Sequence, residues 1–87
     1  MTPVQCRMAR AALGWTTRDL GKTAKVSHET VARFESGHPL KERTVDALRE
    51  TLERAGIILL PDDGESVGVR VRHGALTAPD SAADAVR

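Results

Sequence analysis

The sequence predicts a mainly α-helical domain of four short helices followed by a C-terminal β-hairpin, on three observations. First, 87 residues with one Trp, one Phe and no Tyr leave Leu, Ile, Val and Ala to build the core, which suits compact helices better than a sandwich. Second, four successive stretches repeat apolar residues at intervals of three and four between capping signals. Third, after Gly56 the apolar period falls to two, as in a strand. A chain this short holds one core. The expected organisation is therefore a helical part over residues 1–56, a hairpin over 57–73, and a tail over 74–87 that lacks any apolar stripe and reads as disordered.

Thr2-Pro3-Val4-Gln5 opens the first helix, with Thr as N-cap, Pro at the first helical position and Gln completing a capping box. Cys6, Ala9 and Leu13 form its apolar stripe, and Gly14 supplies the left-handed residue that ends it, giving a span of about 3–13. Thr16 caps a second helix over about 17–24, with Asp19 near its positive end and Leu20 and Ala24 facing inward. A turn of about three residues leads to Ser27, the cap of helix three. Val31 and Phe34 are its inward residues, and Ser36-Gly37-His38-Pro39 stops it. Helix four carries Val45, Leu48, Leu52 and Ala55 on one stripe, starts between Lys41 and Thr44, and stops at Gly56.

Ile57-Ile58-Leu59-Leu60 is β-branched and apolar, Pro61-Asp62-Asp63-Gly64 is turn chemistry, and Val67 to Arg72 alternates strictly. These segments predict a hairpin with a loop of about six residues. An isolated two-stranded hairpin is marginal in water, so it must lie on the helices or pair with a second copy.

The net charge of +1 says little alone, but its distribution says more. Residues 1–43 hold eight Lys or Arg against four Asp or Glu, and residues 44–87 hold five against eight. The front half is the basic one, as a surface facing phosphate is. Cys6 has no second cysteine to bridge to, and no secretory signal or membrane-length apolar run occurs. The expectation is a cytoplasmic protein, associated with the bacterial nucleoid when bound to DNA. The three histidines and one cysteine lack metal-ligand spacing. Asp62, Asp63 and Glu65 read as turn residues instead of a calcium loop. Without a nucleophile elbow, phosphate loop or paired catalytic carboxylates, no enzyme activity, cofactor or metal is expected.

Two short helices joined by a tight turn form a helix-turn-helix unit when crossed over a shared core, here about residues 16–36. In such units the second helix enters the DNA major groove. His28, Glu29, Thr30 and Arg33 then make an outward face left polar for bases. Arg10, Gly14, the run Thr16-Thr17-Arg18-Asp19-Leu20, Val26-Ser27, Val31 and Phe34-Glu35-Ser36-Gly37 carry a resemblance over residues 3–55. They resemble the XRE, or Cro and phage-repressor, type of DNA-binding domain, so a four-helix phage-repressor-like fold is implied. The ending GIILLPDDGESVGVRVR resembles a compact bacterial subgroup in which one hairpin follows the helices.

The resemblance implies roles for particular residues. Thr17 stands where the family usually has Gln, so its phosphate contact is shorter. Gly21 stands for the usual Ala, which permits close helix approach at about 1 kcal/mol in helix propensity. Lys25 occupies a turn position where Gly is common, so a left-handed backbone is expected there. Arg10 and Glu35 match an ion pair joining helix one to the end of helix three, the alternative being two solvated side chains.

His28, Glu29 and Arg33 are the base readers: Arg toward guanine, Glu toward cytosine N4, His as donor or acceptor, with Thr30 on the same face. The alternatives are that Glu29 only favours the helix N-terminus and that Arg33 binds phosphate. Thr17, Arg18, Ser27, Ser36, His38 and Lys41 lie at helix starts or after helix three and are the phosphate candidates. Ile57, Leu59, Val67, Val69 and Val71 are the candidate dimerisation residues, the alternative being a hairpin folded back on helix four. Cys6 reads as core packing and Trp15 as cover for the junction of helices one and two.

The expected function is sequence-specific transcriptional regulation by a homodimer on a two-fold symmetric operator in double-stranded DNA, most simply as a repressor. Two alternatives stay open. An antitoxin of a toxin-antitoxin pair would use the same helices for DNA and the tail for its toxin, and an adaptor would keep the fold without binding DNA.

Overall fold

The computed structural model describes residues 1–76. Its elements are α1 (Pro3–Leu13), α2 (Thr17–Ala24), α3 (His28–Glu35), α4 (Glu42–Arg54), β1 (Ile57–Leu60) and β2 (Gly68–Val71). The chain is mainly helical, with one small antiparallel sheet of two strands. None of the helices among the described residues is long and apolar enough to cross a membrane.

Local chemistry sets the helix ends. Thr2 and Gln5 form a reciprocal capping box on α1, and Gly14 closes it at φ 70°. Thr16 and Asp19 form a second box on α2, whose C-terminus turns at Lys25 with φ 61°. A left-handed conformation in a residue with a Cβ costs about 1 kcal/mol. Two bonds offset it, since Gly21 O accepts from the Lys25 and Val26 amides. Ser27 caps α3 through the Thr30 amide at 3.1 Å. Helix α4 begins at Glu42, behind a Lys41 cap that makes no side-chain bond.

Cys6, Ala9, Leu13, Trp15, Leu20, Val31, Phe34, Leu48, Leu52, Ala55 and Ile57 make one core. Every helix contributes to it, so α3 packs against both α1 and α2. The hairpin lies on the helices of its own chain, β1 against α4 and β2 against α1. Its register pairs Ile57 with Val71 and Leu60 with Gly68. Gln5 fastens this contact: its Oε1 accepts from the Thr2 amide while its Nε2 donates to Leu60 O and Gly68 O at 2.8 and 3.0 Å.

The hairpin and the tail depart from expectation. Strand β2 starts at Gly68, so the loop runs over 61–67 and Val67 lies outside the strand. Of the candidate valines, Val69 packs on the core while Val71 is 47% exposed. Ile57, 2% exposed, belongs to the chain's own core and has no surface to offer a partner. Leu59 likewise packs against that core and is only half-buried.

The chain does not dissolve at Gly74 either. It turns back there with φ 81°, and the Leu76 amide donates to Ala55 O at 2.7 Å, satisfying a carbonyl at the end of α4. Gly56 makes this return possible, since a Cβ there would meet the Cβ of Ala75 at 2.6 Å. The rest of the expected tail, 77–87, lies outside the described residues.

Candidate nucleic-acid interface

Helices α2 and α3 are each eight residues long and are joined by Lys25-Val26-Ser27. Gly21 lets them close up: a Cβ built on it would lie 2.4 Å from Val26 O and 3.2 Å from the His28 amide nitrogen. Any side chain there pushes on the backbone of the turn and on the first residue of α3. The close approach expected of Gly21 is thus a contact with backbone, where nothing flexible can yield.

The far end of α3 is held by α1. Arg10 grips the Glu35 carboxylate with two parallel bonds, Nε to Oε2 and Nη2 to Oε1, both 2.7 Å, and its Nη1 donates to Trp15 O at 3.0 Å. The pair is made, and the alternative of two solvated side chains is set aside: Glu35 is 7% exposed and Arg10 20%. Bonding to Glu35 holds the Arg10 guanidinium pKa above its ordinary value. The Cys6 thiol donates to Glu35 Oε2 at 3.2 Å, and Arg7 Nη1 donates to Glu35 O. Burial first, and then the Glu35 carboxylate, push the Cys6 thiol up to about 12. Cys6 is therefore a neutral core donor at neutral pH, with no thiolate to react.

Between these two anchors α3 turns Val31 and Phe34 into the core and leaves Glu29, Ala32 and Arg33 exposed, with His28 half-buried at its start. Thr30 is less available than its neighbours. It is half-buried and its Oγ1 lies 2.7 Å from Ser27 Oγ, inside the cap of the helix. Glu29 and Arg33 stand four apart in the orientation that favours an ion pair, yet neither belongs to any ion pair among the described residues. Helix α4 differs in that four of its seven charged residues pair, as Asp46–Arg49 and Glu50–Arg54.

The phosphate candidates fall into two groups. Arg18 and Lys41 are exposed, lie outside all ion pairs among the described residues, and retain every donor. Thr17 is half-buried at the start of α2. Ser36 is exposed, but its hydroxyl donates to Ala32 O at 3.0 Å, so the hydrogen a phosphate needs is already committed. Ser27 is exposed and its oxygen accepts from the Thr30 amide. His38 is exposed and folds back on α3, with Nδ1 3.3 Å from Arg33 O, an oxygen that can only accept.

Four residues stand apart from the sequence-based site. Ala32 carries no polar group, so nothing in its chemistry marked it, although its position one turn from Glu29 and His28 places it outward. Lys22 and Lys25 are exposed cations near the turn. Arg7 lies one turn before Arg10, a spacing that puts both on the α1 face toward the end of α3. Among the described residues no group of three His, Cys, Asp or Glu side chains is placed to hold a metal. The groove along Glu42, Arg43, Asp46, Ala47 and Glu50 is a shallow, open surface of α4 lined mostly by charged side chains. No protein-family model matches the chain, and no curated protein sequence matches it.

Proposed function

We propose that this chain is a sequence-specific DNA-binding regulator of the helix-turn-helix kind, similar to the XRE and phage-repressor domains, in which α3 lies in the major groove. The observation that carries the reading is the unspent charge on α3. A helix clamped at both ends exposes Glu29 and Arg33 four residues apart without pairing them. Free carboxylate and guanidinium groups on one face suit the edges of cytosine and guanine.

His28, Glu29 and Arg33 are the proposed base readers, with Thr30 reduced to supporting the cap. Arg18 and Lys41 lead the phosphate contacts, and Thr17, Ser27 and His38 assist them. Ser36 must first release Ala32 O. The protein binds as a homodimer on a two-fold symmetric site, and the surface left for that contact is the outer hairpin around Val67 and Val71, because Ile57 is consumed by the core. Repression by occupying a promoter is the simplest outcome of such binding.

The test is fluorescence anisotropy with duplexes selected from a random pool, at rising salt. Affinity should fall steeply with salt, and replacing both His28 and Arg33 with Ala should abolish selectivity while leaving the melting temperature nearly unchanged. A folded double variant that binds as tightly and selectively as the parent would refute the assignment.

A further inference from the structure

We propose that Ala32 is a specificity residue, its exposed methyl group packing against the C5-methyl of a thymine that lies between the bases read by Glu29 and Arg33. The inference rests on the DNA-binding reading and adds to it the chemical identity of one base pair.

Ala32 is exposed on the outward face of α3, three residues after Glu29 and directly before Arg33. Its backbone oxygen is already taken by the Ser36 amide and the Ser36 hydroxyl, both at 3.0 Å. The one group it can offer to a surface in front of the helix is therefore Cβ. An α-helix rises 1.5 Å per residue, so Glu29 and Arg33 are separated by about 6 Å along the axis. Bases follow one another at about 3.4 Å, so two charged readers set this far apart address positions roughly two steps apart when the helix follows the groove. We place one base pair between them, on the Arg33 side, against the Ala32 methyl.

A methyl group can bond to none of the donors and acceptors that line the major groove. Cytosine N4, guanine O6 and N7, and adenine N6 and N7 would each lose water against it without compensation. Thymine differs, since its C5-methyl is the apolar feature of the groove and gains by contact with another methyl. The short side chain also matters for its neighbours. Anything longer at 32 would hold the helix axis away from the floor and pull Glu29 and Arg33 off the base edges they must reach at hydrogen-bond distance.

Exposed alanine is also the residue a helix prefers on propensity alone, so the experiment must tell contact from helix-making. The full chain is used to enrich duplexes from a random pool, and the selected half-site is then resynthesised with deoxyuridine in place of each thymine in turn, which removes only the methyl. The expected result is one thymine per half-site, adjacent to the guanine lost from specificity in Arg33→Ala, whose replacement weakens binding about fourfold, the worth of one buried methyl. In Ala32→Gly the same replacement should change affinity by less than about 1.5-fold, because the opposing methyl is gone.

Selected sites that tolerate uracil at every position, or a thymine preference unchanged in Ala32→Gly, would overturn the inference and leave DNA binding standing. Failure to enrich any sequence at low salt would remove DNA binding itself, and the inference with it. Should Ala32→Gly melt too low to assay, Ala32→Ser, which sets a hydroxyl on the same Cβ, takes its place, and a uracil effect undiminished in it would overturn the inference.

Discussion

Removing the Glu35 carboxylate tests the bolt that holds α3 to α1. In Glu35→Ala the Arg10 guanidinium loses two 2.7 Å bonds and keeps one, to Trp15 O at 3.0 Å, while the buried Cys6 thiol loses its acceptor at 3.2 Å. Breaking a buried pair by deleting one partner costs about 3–5 kcal/mol, whereas an exposed pair is worth at most about 1 kcal/mol. Arg10 retains a fifth of its surface in water and one bond, which places the expected loss at the lower end, about 3 kcal/mol. A domain of this size shifts its melting point by about 4–8 °C for each kcal/mol, so a fall of about 15 °C is expected. The assay is urea unfolding followed by circular dichroism for the parent, Glu35→Ala, Arg10→Ala and the double variant. Since either deletion breaks the same contact, the double variant should be little worse than the worse single one, with a coupling of about 2 kcal/mol. A coupling below about 0.5 kcal/mol would mean that the pair behaves as a surface pair, and the account of α3 as anchored at Glu35 would fail.

Three further outcomes follow from single side chains. Gly21→Ala should destabilise the protein by about 2 kcal/mol through crowding of Val26 O, against the gain of about 1 kcal/mol that propensity alone predicts; an Ala variant melting above the parent would contradict the close approach at the turn. Cys6 keeps its proton in the folded chain up to about 12, while an ordinary thiol ionises near 9.0. Its contribution is therefore full below about pH 9 and is lost as pH rises, by about 1.4 kcal/mol per unit. Urea curves between about pH 9 and about pH 11 should fall more steeply for the parent than for Cys6→Ala, and parallel curves would exclude the thiol as the cause. Gln5→Leu keeps the bulk but removes the donor to Leu60 O and Gly68 O and the acceptor for the Thr2 amide, so a loss of about 2 kcal/mol is expected. Hydrogen exchange should localise that loss to faster-exchanging hairpin amides, and unchanged hairpin protection would argue that Gln5 does not hold the two parts together.

What was legible in the sequence was what depends on near neighbours. Thr2 with Gln5, Thr16 with Asp19, Gly14, and Ser27 with Thr30 act within three residues or at a single backbone angle, so the limits of α1, α2 and α3 could be read directly. The start of α4 was illegible for the converse reason, because Lys41 makes no side-chain cap. Contacts between distant segments escaped. Gln5 was read as half of a capping box, but an amide has two ends, and its Nε2 reaches Leu60 and Gly68, 55 and 63 residues away. The Arg10–Glu35 pair was reached through a resemblance and not through pattern, since 25 residues separate the partners. Strict alternation of Val67, Val69 and Val71 fixes which side of a strand each residue occupies and says nothing about how far the helices beneath extend, and so it did not separate Val69, which packs on the core, from Val71, which is 47% exposed.

These distant contacts bear on why the face of α3 looks as it does. An eight-residue helix is too short to persist alone, and α3 is kept by Val31 and Phe34 below, by the turn pressed on Gly21 at its start, and by the Glu35 bonds at its end. None of these uses Glu29, Ala32 or Arg33. If that face served stability through solvated charge, the arrangement on α4 would be expected, with i,i+3 and i,i+4 pairs worth about 0.2–0.5 kcal/mol each. Glu29 and Arg33 have the right spacing and order and forgo the pair. A rigid support that leaves its most favourable surface pair unmade is what a reading surface requires, because groups already bonded to each other must be separated before they can bond to a base. The double substitution Glu29→Gln, Arg33→Gln should therefore leave stability within about 0.5 kcal/mol of the parent while erasing selectivity among duplexes; a large loss of stability instead would show that the face works for the fold.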